Sequence, residues 1–179
     1  MNEISIPDAT REPEAYFTTL LEVLGNRDPI AILRATPGLF VDIVAHSQRK
    51  DLEARPVEGE WSVAEIIGHV VDSEIAYSLR WRLVLTKETP SYPAHDERAL
   101  VALPKPSLDH VLALFGELRT YDLWLLEHVA PGDLKRMGIH EEQGLEPLDR
   151  MIRKLAGHDL AHLNQIDRAI AAVTSELAS

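Results

Sequence analysis

Apolar residues recur at helical spacing through almost the whole chain. Residues 12–25 carry Tyr16, Leu20, Leu21, Val23 and Leu24 at that spacing before Gly25-Asn26 breaks the run. Asp28-Pro29 and Thr36-Pro37 each pair a capping residue with proline at the first helical position, where a missing N–H costs nothing. This predicts a short helical turn over 29–34 and a separate helix over 37–47. In WSVAEIIGHVVDSE, residues 61–74, Ser62 and Glu65 form an S-x-x-E capping box, with Trp61 placed to pack on Ile66 as a hydrophobic staple. The helix they start is expected to run to about Thr86.

Pro90, Pro93, Pro104 and Pro106 then mark a connector over about 87–106. Ser107 is placed to cap a helix whose Leu108, Val111, Leu112, Phe115, Leu118, Leu125 and Leu126 keep the 3.6-residue period to about Val129. Gly132, Gly138 and Gly144 punctuate a second connector. From Pro147 at a helix start, Leu148, Met151, Ile152, Leu155, Ile166, Ile170 and Val173 trace one face to about Glu176. Signals for β-strands are nearly absent. The expected fold is all-α, a four-helix bundle with long crossover connections, formed as one domain over 1–179 with its core at about 12–176.

Composition changes this picture by exclusion. The 179 residues are 45% hydrophobic, which suits one globular core. Lys and Arg total 18 against 29 Asp and Glu, and the net charge of -11 repels phosphate backbones and anionic lipid, so neither nucleic acid nor membrane is an expected partner. No apolar run approaches the ~20 residues that span a bilayer, and the first residues lack a signal-peptide layout, which reads as a cytoplasmic protein. With no cysteine, disulfides, thiolate catalysis and cysteine-bound zinc are excluded. A transition metal here would need histidine and carboxylate ligands.

Eight histidines are present. In LAGHDLAHLNQI, His158 and His162 are four apart, a spacing that puts their Cβ atoms about 5–6 Å apart on one side of a helix. Both face the stripe of Leu155 and Ile166, and His69 shares a face with Ile66, Val70 and Ser73. Three inward imidazoles from two helices match a tri-histidine site that leaves a position for water or substrate. Each also has a plainer reading: a chance His-x-x-x-His, or a core histidine donating to a carbonyl. Asp159 falls on the apolar face, where it needs a partner such as an imidazole N–H. Asp72, one turn after His69, is either a similar neighbour of the site, a ligand, or a solvated flank. Glu74, Arg80 and Arg82 either form helix-surface ion pairs, the default, or line a polar pocket, and His46, His95, His110, His128 and His140 show no convergence, with His128 suited to a helix C-terminus and His140 expected to be exposed. Tyr121, Leu123 and Trp124, with Trp81 between two arginines, exceed one buried stripe and suggest either internal cover or a homodimer.

PVEGEWSVAEIIGHVVDSE, FGELR at 115–119, GIHEEQG at 138–144 and LAGHDLAHLNQI together resemble the DinB/YfiT-like metalloprotein superfamily, in order and spacing from about Pro29 to Ile170. The resemblance implies a four-helix bundle with one divalent ion per chain, commonly zinc or nickel, held by His69, His158 and His162. It also implies a metal-dependent enzyme acting on a small molecule, either a thiol-dependent S-transferase using a low-molecular-weight thiol or a hydrolase. Asp72 or Asp159 would then orient the ligands. Dimers are common among the proteins it resembles. The alternative is a non-catalytic module whose metal only ties two helices together. Ala94-His95-Asp96 departs from the relatives' pattern of an aromatic before the acidic residue.

Overall fold

The computed structural model describes residues 11–176, so the ends of the expected domain, 1–10 and 177–179, lie outside the described residues. Helix α1 spans Pro13–Leu24 and stops at Gly25, whose φ of 60° suits a residue without a side chain. Helix α2 spans Pro29–Ala45 and a short α3 spans Arg49–Glu53. The capping box forms as expected: Ser62 Oγ accepts from Glu65 N, and the Glu65 side chain accepts from Ser62 N, starting α4 at Val63–Thr86. A short α5 is Glu97–Val101, α6 is Leu108–Glu127 and α7 is Leu148–Glu176. Ser107 stands at the cap of α6 without capping it; its hydroxyl meets His110 Nδ1 at 2.7 Å instead.

One boundary differs from the sequence expectation. Pro37 does not start a new helix; it lies inside α2, which is continuous through it. A proline has no N–H for the carbonyl four residues back, here that of Leu33, and such a group left alone inside a protein is expensive. Arg119 Nη1 from α6 donates to Leu33 O at 2.7 Å and takes the place of the lost bond.

The bundle is a ring in which α2 lies against α6 and α7, and α4 against the same two; α1 packs on the outside of α7. Gly157 permits that last approach, since a Cβ there would stand 2.4 Å from Leu20 O. The apolar core divides in two along the axis. One half gathers Leu33, Trp81, Leu126, Met151 and Leu155, and the other Phe40, Ile67, Val70, Phe115 and Ile166. Trp81 and Leu123 are buried in the chain, so internal cover explains them, whereas Tyr121 and Trp124 are exposed. No helix among the described residues is long and apolar enough to cross a membrane.

Both connectors hold more structure than their prolines and glycines suggest. Ser91–Tyr92 (β1) pairs in parallel with Met137–His140 (β2), which pairs antiparallel with Gly144–Pro147 (β3). These strands are too short to show an alternating pattern. Gly138 is required by contact: a Cβ on it would lie 2.5 Å from the Tyr92 ring and 2.8 Å from Val84. Buried Lys154 of α7 bonds Glu146, which also accepts from Tyr92 Oη at 2.9 Å, and so the sheet is fastened to the bundle.

A polar layer separates the two apolar halves. Glu74, expected at the surface, is fully buried and receives Arg119 Nε at 2.7 Å and Nη2 at 2.8 Å, while Asp159 receives Nη1 at 2.9 Å. One guanidinium thus joins α4, α6, α7 and the α2 backbone. Burial pushes the Glu74 carboxyl up and Arg119 offsets this only in part. Burial alone would raise Asp159 too, but Arg119 and His158 together hold it below its usual value. Arg82, also expected in a surface pair, reaches buried Asp122 at 2.6 Å, where Ser78 Oγ donates at 2.9 Å.

Arg119→Met strands two buried carboxylates and the Leu33 carbonyl, and should lower unfolding free energy by about 3–5 kcal/mol in chemical denaturation. Arg34→Met, which removes an exposed pair with Glu127, should change it by less than about 1 kcal/mol. Gly157→Ala should speed amide exchange across Pro13–Leu24 while leaving α4 unchanged, because it pushes α1 off α7.

Candidate metal centre

The polar layer continues into the three inward histidines. His69 comes from the second turn of α4, directly after the capped start, and His158 and His162 from successive turns of α7. All three are buried. His158 Nε2 lies 3.1 Å from His69 Nε2 and 3.1 Å from His162 Nε2. One ligand atom from each ring falls within a 4.8 Å set, and no other His, Cys, Asp or Glu joins that group among the described residues. Tetrahedral coordination with metal–nitrogen bonds of 2.0–2.1 Å places nitrogens about 3.3 Å apart, close to the two spacings at His158 Nε2.

Hydrogen bonding alone does not explain this arrangement. His158 Nε2 faces two other ring nitrogens, and a single N–H can serve only one of them. His162 Nδ1 is 2.8 Å from Gln165 Oε1, which can only accept from it. The proton therefore sits on Nδ1, and the Nε2 lone pair points at the other two rings. His69 Nδ1 and His158 Nδ1 are buried without a hydrogen-bond partner. Burial, followed by its histidine neighbours, pushes His69 far below its usual value. Burial and His158 push His162 down to about 3, against smaller opposing effects of Gln165 and Asp159. Neutral imidazole is the form that binds metals.

The two flagged carboxylates are committed elsewhere. Asp159 gives its charge to Arg119, and its Oδ1 stands 4.0 Å from His158 Nδ1, too far for a hydrogen bond. Asp72 pairs with Lys105 at 3.0 Å. Gln165 was not singled out by the pattern, although it lies one turn beyond His162. His46, His110 and His128 make only local contacts, with Asp42 O, Ser107 Oγ and Trp124 O.

His95 and His140 depart from expectation. His140 is buried, and both line a small cavity with Ser73, Tyr77, Arg80 and His158. Arg80 is likewise buried there rather than paired at the surface, with Nη2 donating to Pro93 O at 2.8 Å and lying 3.4 Å from His95 Nδ1. Burial, then Arg80, lowers His95, with Asp72 acting the other way. Burial, then Arg80 and Lys154, pushes His140 down to about 4. His95 and His140 come from the two connectors, where no helical period groups them with Arg80 of α4. The short sheet brings them together.

The chain is similar to known proteins over most of its length. The DinB superfamily profile matches residues 32–166. A Bacillus mycoides protein named "Putative metal-dependent hydrolase" is 29% identical over 124 residues, 65% of this chain and 72% of that one. An Oceanobacillus iheyensis protein of the same description is 27% identical over 132 residues, 73% of this chain and 77% of that one. Among solved structures, YfiT from Bacillus subtilis, described as "a probable metal-dependent hydrolase with an unusual four-helix bundle topology", superposes with a TM-score of 0.72 at 25% identity, covering 80% of this chain and 86% of that one. With the profile covering 32–166, a range that includes His69, His158 and His162, and the fold matching, the chain belongs to the DinB superfamily.

Proposed function

We propose that this protein is a metal-dependent hydrolase of a small molecule, with one divalent ion held by His69, His158 and His162. The observation that carries this is the convergence of three imidazole rings beside a cavity, with no fourth ligand in the group among the described residues. Three protein ligands leave a position open, as in catalytic rather than structural sites. A nitrogen-only set suits zinc or nickel. A divalent ion there would supply Lewis acidity to an oxygen or sulfur on its open side. The chain's own part is to hold three imidazoles together, the tautomer of His162 being set by Gln165, and to offer Ser73, Tyr77, His95 and His140 to the substrate.

The names carried by the relatives support water as the attacking group. A low-molecular-weight thiol is the competing nucleophile, and it would have to come from outside, because the chain has no cysteine. The helix-tying module requires a closed site, and the cavity beside His158 speaks against it. Exposed Ile75 and Leu79 on α4 and Leu114 and Tyr121 on α6 support a homodimer built on these two helices.

Elemental analysis should find about one divalent ion per chain, and each of His69→Ala, His158→Ala and His162→Ala should lose it; full occupancy in all three would end the assignment. Chelation should lower Tm, since binding to the native state alone stabilises it. Model esters and amides, and electrophiles offered with low-molecular-weight thiols, should be assayed with and without metal. Metal-dependent turnover without thiol supports hydrolysis, turnover only with thiol favours transfer, and none in either arm favours the helix-tying module. Sedimentation should give about twice the 20.0 kDa chain mass, and a monomer would rule out the dimer.

A further inference from the structure

Arg80 is 5% exposed and meets no carboxylate among the described residues. Only its Nη2 is engaged, by Pro93 O and His95 Nδ1, which leaves Nε and Nη1 without a hydrogen bond. Its charge rests between the rings of Tyr77 at 5.5 Å and Tyr92 at 5.2 Å. A guanidinium does not give up its proton, and a buried cation normally has a paired anion. Among the described residues no carboxylate supplies that anion by a hydrogen bond or ion pair to Arg80.

The neighbouring histidines are set as donors. Because Arg80 can only donate, His95 Nδ1 must accept, and the proton of this neutral ring lies on Nε2, which is buried without a partner. His140 Nδ1 faces the backbone N–H groups of Glu142 at 3.2 Å and Gln143 at 3.3 Å, so its proton also lies on Nε2. Arg80, His95 and His140 line one cavity with His158 of the three-histidine group. Glu97 and Glu142 line it as well, the first half-buried and the second exposed, and they oppose a doubly charged ligand. The free space is small, about 50 Å³.

We propose that Arg80, His95 and His140 form a carboxylate-binding subsite, and that the substrate is a small molecule carrying one carboxylate whose remainder reaches the three histidines. The proposal rests on the preceding reading for that second half, whereas carboxylate binding itself needs no metal. Guanidinium and N–H donors match a planar monoanion. The overall charge of -11 repels anions elsewhere on the surface, which makes a single donor-lined cavity selective.

The test is an NMR titration of the full chain with propionate, following the arginine Nε–H resonance assigned to Arg80 by through-bond experiments, in chelator-treated and metal-loaded protein. The resonance should shift saturably in both, inorganic phosphate should compete poorly, and Arg80→Met should weaken propionate binding by at least about ten-fold. Arg80→Lys, which keeps the charge, should fall between. A resonance unmoved at high propionate, or unchanged affinity in a folded Arg80→Met protein, overturns the subsite. So does binding that disappears on chelation, because the carboxylate would then sit on the metal. Propionate binding retained in a protein that takes up no metal would instead sink the metal assignment and leave the subsite standing.

Discussion

The Arg119 guanidinium is the interaction on which the rest depends. It fills the hydrogen-bond gap that Pro37 leaves at Leu33 and holds Glu74 on α4 and Asp159 on α7. Four helices are therefore tied at one height, between two apolar clusters that could otherwise slide along each other. Hydrophobic contact is non-directional, but a forked cation between two carboxylates is not. Without the carboxylates the cation would be costly to bury, and without the cation the carboxylates would be, so none of the three is free to change alone.

That lock lies next to the histidines on both helices that carry them. Glu74 follows His69 on α4, and Asp159 follows His158 directly on α7. Fixing the rotation and height of α4 against α7 is what brings Nε2 atoms from different helices to 3.1 Å. Gln165 then sets one ring's tautomer from the same helix. The geometry of the three imidazoles is a product of helix register rather than of local loop shape.

Much of this is legible in the sequence. The capped start of α4, the glycine stop after α1 and the inward facing of His69, His158 and His162 all follow from local rules of spacing and capping. What is not legible depends on contacts between distant segments. Pro37 reads as a helix start because nothing near it in sequence reveals that Arg119 will replace its missing bond. Glu74 and Arg82 read as surface charges because their partners, Arg119 and Asp122, are some forty residues away. The small sheet escapes notice since strands of 2, 4 and 4 residues carry no period. His95, His140 and Arg80 could have been grouped only by knowing that this sheet exists.

X-ray absorption at the edge of the bound metal tests the central claim most directly, because it counts the imidazoles around the ion in solution. Three imidazole nitrogens at about 2.0–2.1 Å are expected, with the remaining scatterers fitted by exchangeable light atoms. Fewer than three imidazoles, or a fourth recruited from His95 or His140 to close the site, would contradict it.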